Sequence, residues 1–348
     1  MKKILTAILI SATLYSCGIR EDDNIIYLKQ SDMPSPEPVS IDILDLPCVM
    51  NPTRVYCFGN KILMKDNSSR ACQMYVFEPR SKELTRSLRI GRGPGETIGA
   101  FYFAMILPDS LIVVNDVVLR RMLEIPLERL DYDWASPVNT STSVVGGVDA
   151  RALCGYENND LLVLGEYHDA RFVIYDIADT TVRQKVIYSP DPVTKKMEVQ
   201  VSAAYEGVIK YNQARKKSVI ACRYADQLEF YDFNTDKVMF IKGPECFDPS
   251  YVSKTSSVTG AKTIAHKSDE KKGYLDVCCD GNRVYALYSG LPVVDPNSSY
   301  GREIRVFDWK GNLMKILQTD VDIISIDIDE NGTLYCLTID GHLAECSV

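Results

Sequence analysis

Histidine, tryptophan and blocks of basic residues are scarce in this chain of 348 residues. It contains three histidines and two tryptophans, and its 39 lysines and arginines are outnumbered by 47 acidic residues, for a formal net charge of −8. The basic blocks are short, namely Lys195-Lys196, Arg215–Lys217 and Lys271-Lys272. A chain this acidic is a poor candidate for nucleic acid, and it offers no polybasic patch to a membrane surface.

Sequence motifs of catalysis and metal binding are also missing. There is no Gly-x-Ser-x-Gly elbow, no His-Glu-x-x-His pair and no Cys-x-x-Cys spacing. Asp327–Gly332 begins like a calcium loop, but Thr338 stands where a bidentate Glu is needed, and Asn331-Gly332 is better explained as a hairpin turn. The sequence therefore predicts no metal and no cofactor, although a Ser-His-Asp site assembled from distant positions stays open.

The cysteines are not spaced like a disulfide framework. Most of those after Cys17 fall within strand-like apolar runs, where a free thiol behaves as a small buried hydrophobe. These are Cys57, Cys72, Cys154, Cys222, Cys278, Cys336 and Cys346. We therefore expect mostly buried thiols, with two disulfides at most.

The N-terminus carries the features of an export signal. Lys2 and Lys3 precede an apolar stretch from Ile4 to Leu14, which is shorter than the roughly 20 residues of a membrane-spanning helix. The segment Leu14-Tyr-Ser-Cys17 resembles the bacterial lipoprotein signal, in which the cysteine is acylated and becomes the mature N-terminus. The resemblance implies a signal peptide at residues 1–16 and a lipid anchor on Cys17. An ordinary cleaved signal with an incidental cysteine is the alternative.

Residues 17–38 are predicted to form a flexible tether, because Arg20–Asp23 is charged and Ser31–Pro38 is rich in proline. Two or more acyl chains would anchor the protein stably to a membrane. The acidic cluster after Cys17 resembles the surface-export signal of some Gram-negative lipoproteins, although a solvated tether is the simpler explanation. We expect an outer membrane lipoprotein, on either the cell surface or the periplasmic face.

Four short segments of the remaining chain resemble one another. They are Tyr75–Glu78, Val173–Asp176, Glu229–Asp232 and Arg305–Asp308, and each lies in the third apolar run of a group of four. Recurring groups of four β-runs are typical of a β-propeller. The fourth run of the second group is the least distinct and is predicted near Leu130–Trp134.

The sixth group has only three runs, Ile323–Asp329, Thr333–Asp340 and His342–Val348. Val39–Leu46 alternates cleanly and belongs to no other group, so it is predicted to supply the missing outer strand and close the ring. The sequence thus predicts an all-β, six-bladed β-propeller over residues 39–348, with its last blade closed by an N-terminal strand.

These features resemble the six-bladed, TolB-like propeller lipoproteins of Gram-negative, gut-type bacteria. The resemblance covers nearly all of the mature chain, and its best local mark is Gly91–Glu96, which is similar to a glycine-rich GxGPGE segment of that family. It implies a fold and a location in the envelope but no reaction.

Loop length predicts where function lies. In each blade, the turns between strands one and two and between strands three and four are short. The turns between strands two and three and the links between blades are long, for example Ser189–Glu206 and Glu245–Gly273. Long loops on a rigid scaffold are the usual place for binding. The candidate ligand contacts on this face and at the mouth of the central channel are Arg92, His168, Arg171, His266, Tyr300 and Arg302.

Two functions follow from this interpretation. The first is a lipid-anchored envelope protein that binds a protein, a peptide or a glycan through its long-loop face. The alternative is a calcium-dependent hydrolase of the lactonase or esterase type, whose propellers hold calcium at the channel mouth. The acidic residues considered for such a site are Asp116, Asp149, Glu206 and Asp276, although the sequence does not place them there. One fold hosts many functions, so the fold does not decide between them.

Overall fold

The computed structural model describes residues 24–47, 49, 51–67, 72–106, 110–130, 137–255 and 262–346. These residues form β-strands almost throughout, with a single short α-helix, α1, at Val199–Ala204. No helix in these ranges is long and apolar enough to cross a membrane. The predicted signal peptide and Cys17 lie outside the described residues.

The N-terminal part and the first three blades follow in chain order. Before the first blade come three short strands, β1 (Ile25–Tyr27), β2 (Glu37–Val39) and β3 (Ile41–Ile43). Blade one is β4 to β7 (Pro52–Phe58, Lys61–Asp66, Cys72–Glu78, Glu83–Arg89). Blade two is β8 to β11 (Ala100–Ile106, Leu111–Asp116, Arg121–Pro126, Asn139–Thr142). After a small hairpin, β12 (Val144–Val145) and β13 (Val148–Asp149), blade three is β14 to β17 (Ala152–Gly155, Asp160–Leu164, Phe172–Asp176, Thr181–Val186).

The last three blades complete the ring. Blade four is β18 to β21 (Gly207–Asn212, Lys217–Cys222, Gln227–Asp232, Lys237–Lys242). A hairpin follows, made of β22 (Tyr251–Thr255) and β23 (Lys262–His266). Blade five is β24 to β26 (Tyr274–Cys279, Arg283–Tyr288, Gly301–Asp308) and the first half of the long strand β27 (Leu313–Ile328). Blade six is the second half of β27, then β28 (Leu334–Thr338), β29 (Leu343–Cys346) and β3.

The hydrophobic core lies between neighbouring blades. Within the described residues, six separate apolar clusters each join one blade to the next, and the last of them joins blade six back to blade one. In that closing cluster Leu337 and Leu343 of blade six pack with Val55 and Met64 of blade one. Burial of these faces supplies most of the driving force for the fold, and the closed circuit of clusters confirms six blades.

The N-terminal strand closes the ring as predicted. β3 pairs antiparallel with β29, with Ile43 opposite Ala344 and Ile41 opposite Cys346. An outer strand taken from the other end of the chain leaves blade six with four strands, and it ties the two ends of the propeller together.

The segment before β3 differs from the predicted tether. β1 pairs in parallel with β21, and β2 pairs in parallel with the blade-five part of β27. The Phe240 amide donates to the Asn24 carbonyl at 2.8 Å, and the Leu28 amide donates to the Lys242 carbonyl at 2.9 Å. The free edges of outer strands offer unpaired amides and carbonyls, so residues 24–39 are held as a strap along blades four and five. The expectation of a tether through residue 38 is therefore wrong from residue 24 onward.

Blade two also differs from the prediction. Its fourth strand is β11, which pairs with β10 through Leu123 opposite Thr140, whereas the sequence indicated Leu130–Trp134, most of which lies outside the described residues. β11 is polar and short, and its pattern therefore did not distinguish it from a loop.

The two faces of the propeller are unequal. Because neighbouring strands are antiparallel, the turns after first and third strands share one face, the short-turn face, and the remaining connections share the other, the long-loop face. The long-loop face carries α1, the β22–β23 hairpin and a 3-10 turn at Pro296–Ser299. β21 runs towards the long-loop face, so the parallel strand β1 enters its sheet from the short-turn side.

Candidate functional site

The glycine-rich link between blades one and two is a compact turn on the long-loop face. The Gly93 amide donates to Glu96 Oε2 at 2.7 Å, and Arg121 Nη2 donates to the carbonyls of Gly93 and Glu96 at 3.0 and 2.6 Å. A Cβ atom at Gly91 would lie 2.0 Å from Glu96 Oε2. The predicted contact Arg92 is exposed at this turn.

His168 and Arg302 are also exposed. His168 lies in the turn between β15 and β16, with 76% of its side chain accessible and Nδ1 3.8 Å from Asp169. Arg302, at the start of β26, is paired with Asp322 through contacts of 2.6 and 3.1 Å.

Tyr300 and Arg302 border a cleft of about 750 Å³ beneath the N-terminal strap. The strap contributes Gln30 and Met33–Pro36 to the lining, and blade five contributes Tyr288 and Arg305. The Arg305 guanidinium lies 3.5 Å from the centre of the Tyr288 ring and donates to Asp226 at 2.9 Å. This cleft brings together two of the predicted contacts, and no sequence signal indicated that the strap would cover it.

Arg171 is not on the surface, contrary to the expectation that it contacts a ligand on an exposed loop. Its side chain is 2% accessible, and it donates to Glu229 Oε2 and Oε1 at 2.9 and 3.0 Å and to the Tyr205 carbonyl at 2.8 Å. Burial alone would lower the pKa of Arg171, but the Glu229 carboxylate outweighs it and the pKa is raised. Arg171 is therefore a structural ion-pair partner between blades three and four.

His266 forms the best-defined polar cluster on the long-loop face. Its Nδ1 atom lies 2.5 Å from Oε2 of Glu270, whose side chain is fully buried, and its ring lies 4.1 Å from the ring of Tyr224. The Ser250 amide donates to Glu270 Oε1 at 3.0 Å. Burial raises the pKa of Glu270 to about 7 and lowers the pKa of His266. The imidazole therefore lies between a buried carboxyl group and an aromatic ring, a setting that suits recognition of a ligand.

The central channel contains a second polar cluster, which sequence reasoning identified only in part. Arg54 of blade one donates to Asp276 of blade five, and Lys210 of blade four lies 3.0 Å from both carboxylate oxygens of Asp327 of blade six. All four side chains are mostly buried. Burial alone would lower the pKa of Lys210, but Asp327 outweighs it and the pKa is raised.

Side chains in the channel also accept hydrogen bonds from backbone amides of an innermost strand. The Cys57 amide donates to Asp327 Oδ2 at 3.0 Å, and the Val55 amide donates to Ser325 Oγ at 3.1 Å. The available sequence signal was a single charged residue inside an apolar inner strand, as in Gly207–Asn212 around Lys210. A buried charge requires a partner, but the sequence could not identify that partner.

A cavity of about 230 Å³ lies beside this cluster, between the innermost strands of all six blades. Its lining includes Phe58, Tyr156 and Tyr211, which stand where these strands lead into the short turns, so it lies in the short-turn half of the channel. The thiols of Cys57, Cys154 and Cys279 also line it. Burial raises the pKa of Cys279 to about 12, so this thiol is a poor nucleophile at neutral pH.

The four carboxylates named for calcium have separate partners. Asp116 accepts four backbone amides, from Ile98, Gly99, Val118 and Leu119. Asp149 pairs with Arg120, Glu206 with Arg223, and Asp276 with Arg54. Within the described ranges, no group of three or more histidine, cysteine, aspartate or glutamate residues is placed to hold a metal ion.

The six blades, each built on four antiparallel strands and arranged in a closed ring, define a six-bladed β-propeller. The chain belongs to the TolB-like six-blade propeller family, whose profile matches residues 40–331. No curated protein matches the chain in sequence.

Solved structures share the fold at low sequence identity. A member of the DUF4221 family from Bacteroides vulgatus superposes with a TM-score of 0.58 at 12% identity, covering 90% of this chain and 96% of that one. A protein from Bacteroides fragilis described as exported gives 0.54 at 12% identity, covering 93% and 99%. Virginiamycin B lyase from Staphylococcus aureus gives 0.50 at 7% identity, covering 88% and 97%. Identities this low establish the fold alone.

Proposed function

We propose that this protein is a lipid-anchored binding module of the bacterial envelope, which takes a protein, a peptide or a glycan on its long-loop face. The observation that carries the proposal is the unequal length of the connections. α1, the β22–β23 hairpin and the His266–Glu270 pair all lie on one face. On the other face, the turns between described strands are short except for the link of residues 127–138 from β10 to β11. Extra chain on one side of a rigid scaffold is costly in conformational entropy, and binding is the usual reason to retain it.

The course of the strap supports an outward-facing binding surface. An anchor on Cys17 would be separated from Asn24 by seven residue steps, a reach of about 25 Å when fully extended. Because β1 enters blade four from the short-turn side, such an anchor would hold the short-turn face nearer the membrane. The long-loop face would then point away from the lipid, towards partners. The Bacteroides fragilis neighbour described as exported is in keeping with an envelope location.

The β22–β23 hairpin is the most prominent candidate contact. Tyr251 and Ile264 anchor it to a small apolar cluster that includes α1, while Val252 on the same hairpin is 50% accessible. An apolar side chain exposed on a hairpin of the long-loop face is a suitable contact for a partner, and Val252 is not one of the residues that anchor the hairpin.

A pull-down from detergent-solubilised envelope tests the proposal. The full chain is compared with Val252→Asp and with Met314→Asp, which makes the same change at a residue of blade five that is 58% accessible. The expected result is a specific partner that the wild type and Met314→Asp retain and Val252→Asp loses. Partners retained equally by both variants would contradict a role for the hairpin, and an empty pull-down would contradict a stable partner.

The anchor is tested independently by Cys17→Ser. The expected result is transfer of the protein from the membrane fraction to the soluble fraction and loss of incorporated radioactive palmitate. Unchanged membrane association of this variant would overturn the lipid anchor. For the alternative function, a rise in melting temperature with calcium would be required, because a metal that binds only the native state stabilises it.

A further inference from the structure

The cavity in the central channel has two chemically different sides. Blades two and three contribute Phe103, Met105 and Leu153, among other uncharged side chains, whereas every charged lining residue comes from blades one, four, five and six. The cavity therefore has charged side chains on one wall, here called the polar wall, and none on the wall formed by blades two and three, so an occupant should be amphipathic in the same way.

The charges on the polar wall cancel. The lining contains Arg54 and Lys210 together with Asp276 and Asp327, and each cation is already paired with a carboxylate. An ionised ligand would bring an uncompensated charge into a largely buried site, which costs free energy. The cavity thus favours a neutral occupant.

Lys210 still has hydrogen-bonding capacity. An ammonium group has three N–H donors, and the hydrogen bonds of Lys210 Nζ both go to Asp327. The same Nζ atom lies 5.8 Å from the centre of the Tyr56 ring, and 20% of the side chain is accessible. An acceptor oxygen next to Tyr56 would satisfy the remaining donor.

The size of the cavity limits the occupant further. An apolar cavity of about 150 Å³ is large enough for benzene, and this one has a volume of about 230 Å³. One six-membered ring with small substituents fits, whereas a peptide or an oligosaccharide does not. Tyrosine rings and the Met105 sulfur on the walls favour an aromatic ring, because ring–ring and sulfur–ring contacts add to simple burial.

We propose that the channel cavity binds a small neutral aromatic molecule that carries a hydroxyl or carbonyl oxygen. Its ring packs against the tyrosines and Met105, and its oxygen accepts a hydrogen bond from Lys210 Nζ. This site is separate from the long-loop face, and the inference depends on neither the lipid anchor nor a macromolecular partner.

Calorimetric titration of the full chain in maltoside micelles tests the proposal with three probes. Phenol is neutral and aromatic, benzoate adds a charge, and cyclohexanol lacks the aromatic ring. The expected result is one phenol per chain with a dissociation constant below about 1 mM, and at least tenfold weaker binding of the other two probes. No phenol binding, or equal binding of benzoate, would overturn the proposal.

Two variants locate the site. Cys279→Phe and Cys57→Leu enlarge partly accessible lining residues of blades five and one, and each should weaken phenol binding at least tenfold by filling the cavity. Met314→Phe adds bulk on the outside of blade five and should bind like the wild type. Melting temperatures show whether each variant is folded. Undiminished binding by a folded Cys279→Phe or Cys57→Leu protein would place phenol elsewhere and refute the assignment.

Discussion

Removing the guanidinium of Arg171 should leave Glu229 as an uncompensated charge in the interior. The two side chains are 2% and 0% accessible and are joined by two hydrogen bonds. Removing one partner of such a buried ion pair lowers the free energy of unfolding by about 3–5 kcal/mol. In Arg171→Met the carboxylate can escape this cost by binding a proton. Protonating an ordinary glutamate at pH 7 costs about 3.7 kcal/mol, but only about 1 kcal/mol at pH 5.

The destabilisation by Arg171→Met should therefore depend on pH. We expect a loss of about 3–4 kcal/mol in the free energy of unfolding at pH 7 and of about 1–2 kcal/mol at pH 5, where loss of the hydrogen bonds is the main remaining cost. Adding Glu229→Gln to Arg171→Met should recover at least about 2 kcal/mol at pH 7, because it removes the stranded charge. Glu229→Gln alone should be strongly destabilising, since it strands the cation instead.

Urea unfolding followed by tryptophan fluorescence at both pH values measures these differences. Arg302→Met is the matched control, because Arg302 also pairs with a carboxylate, that of Asp322, but its side chain is 50% accessible. An exposed pair contributes about 0–1 kcal/mol, so this control should change little. A cost below about 1 kcal/mol for Arg171→Met at pH 7, or an equal cost at both pH values, would refute the reasoning from burial.

Three further predictions concern packing, ring closure and pH. Gly155→Ala should destabilise strongly, because a Cβ would lie 1.9 Å from the Met105 carbonyl oxygen, whereas Gly281→Ala, with nothing within 4 Å, should be nearly neutral in thermal unfolding. Ile41→Asp should lower the free energy of unfolding by about 2 kcal/mol or more, because it places a charge in the buried side of the closing strand. Ile43→Asp changes a residue of the same strand that is 52% accessible and should cost far less. Equal losses of stability in the two variants would contradict the pairing of β3. Because the folded-state pKa of Glu270 is raised from 4.5 to about 7, its contribution to stability is present below pH 4.5 and lost as the pH rises through 7. The wild type should thus lose stability relative to Glu270→Gln between pH 5 and 8, and a constant difference in urea midpoint would contradict the raised pKa.

Most of the architecture could be predicted from local patterns. Most blade strands alternate or run apolar, and Asn, Asp and Gly mark many of the turns. The Asn331-Gly332 segment illustrates this, because Asp329 accepts the amides of Asn331 and Thr333 at 3.0 and 2.8 Å and forms the hairpin turn that the sequence indicated. The strap could not be predicted, because its parallel pairing with β21 and β27 uses backbone atoms, which any sequence without a regular pattern can supply.

The candidate site was harder to predict than the fold. His266 was named from its loop, but its partners Glu270 and Tyr224 were not, and Arg171 was named for a surface on which it does not lie. The unidentified partners of His266 and the wrong placement of Arg171 have one cause. The environment of a polar side chain depends on what packs over it, and α1 and blade four, which follow later in the chain, bury Arg171.

The sequence by itself determined the number of blades, the closing strand and the unequal faces, because each of these follows from the order and length of local β-runs. Only the tertiary structure decided which charges meet in the channel. Arg54 and Asp276 are 222 residues apart, and Lys210 and Asp327 are 117 apart. A charged residue in a buried strand implies that it has a partner, but the sequence does not identify that partner. Closure of the ring supplies the partner by bringing the innermost strands of all six blades around one axis.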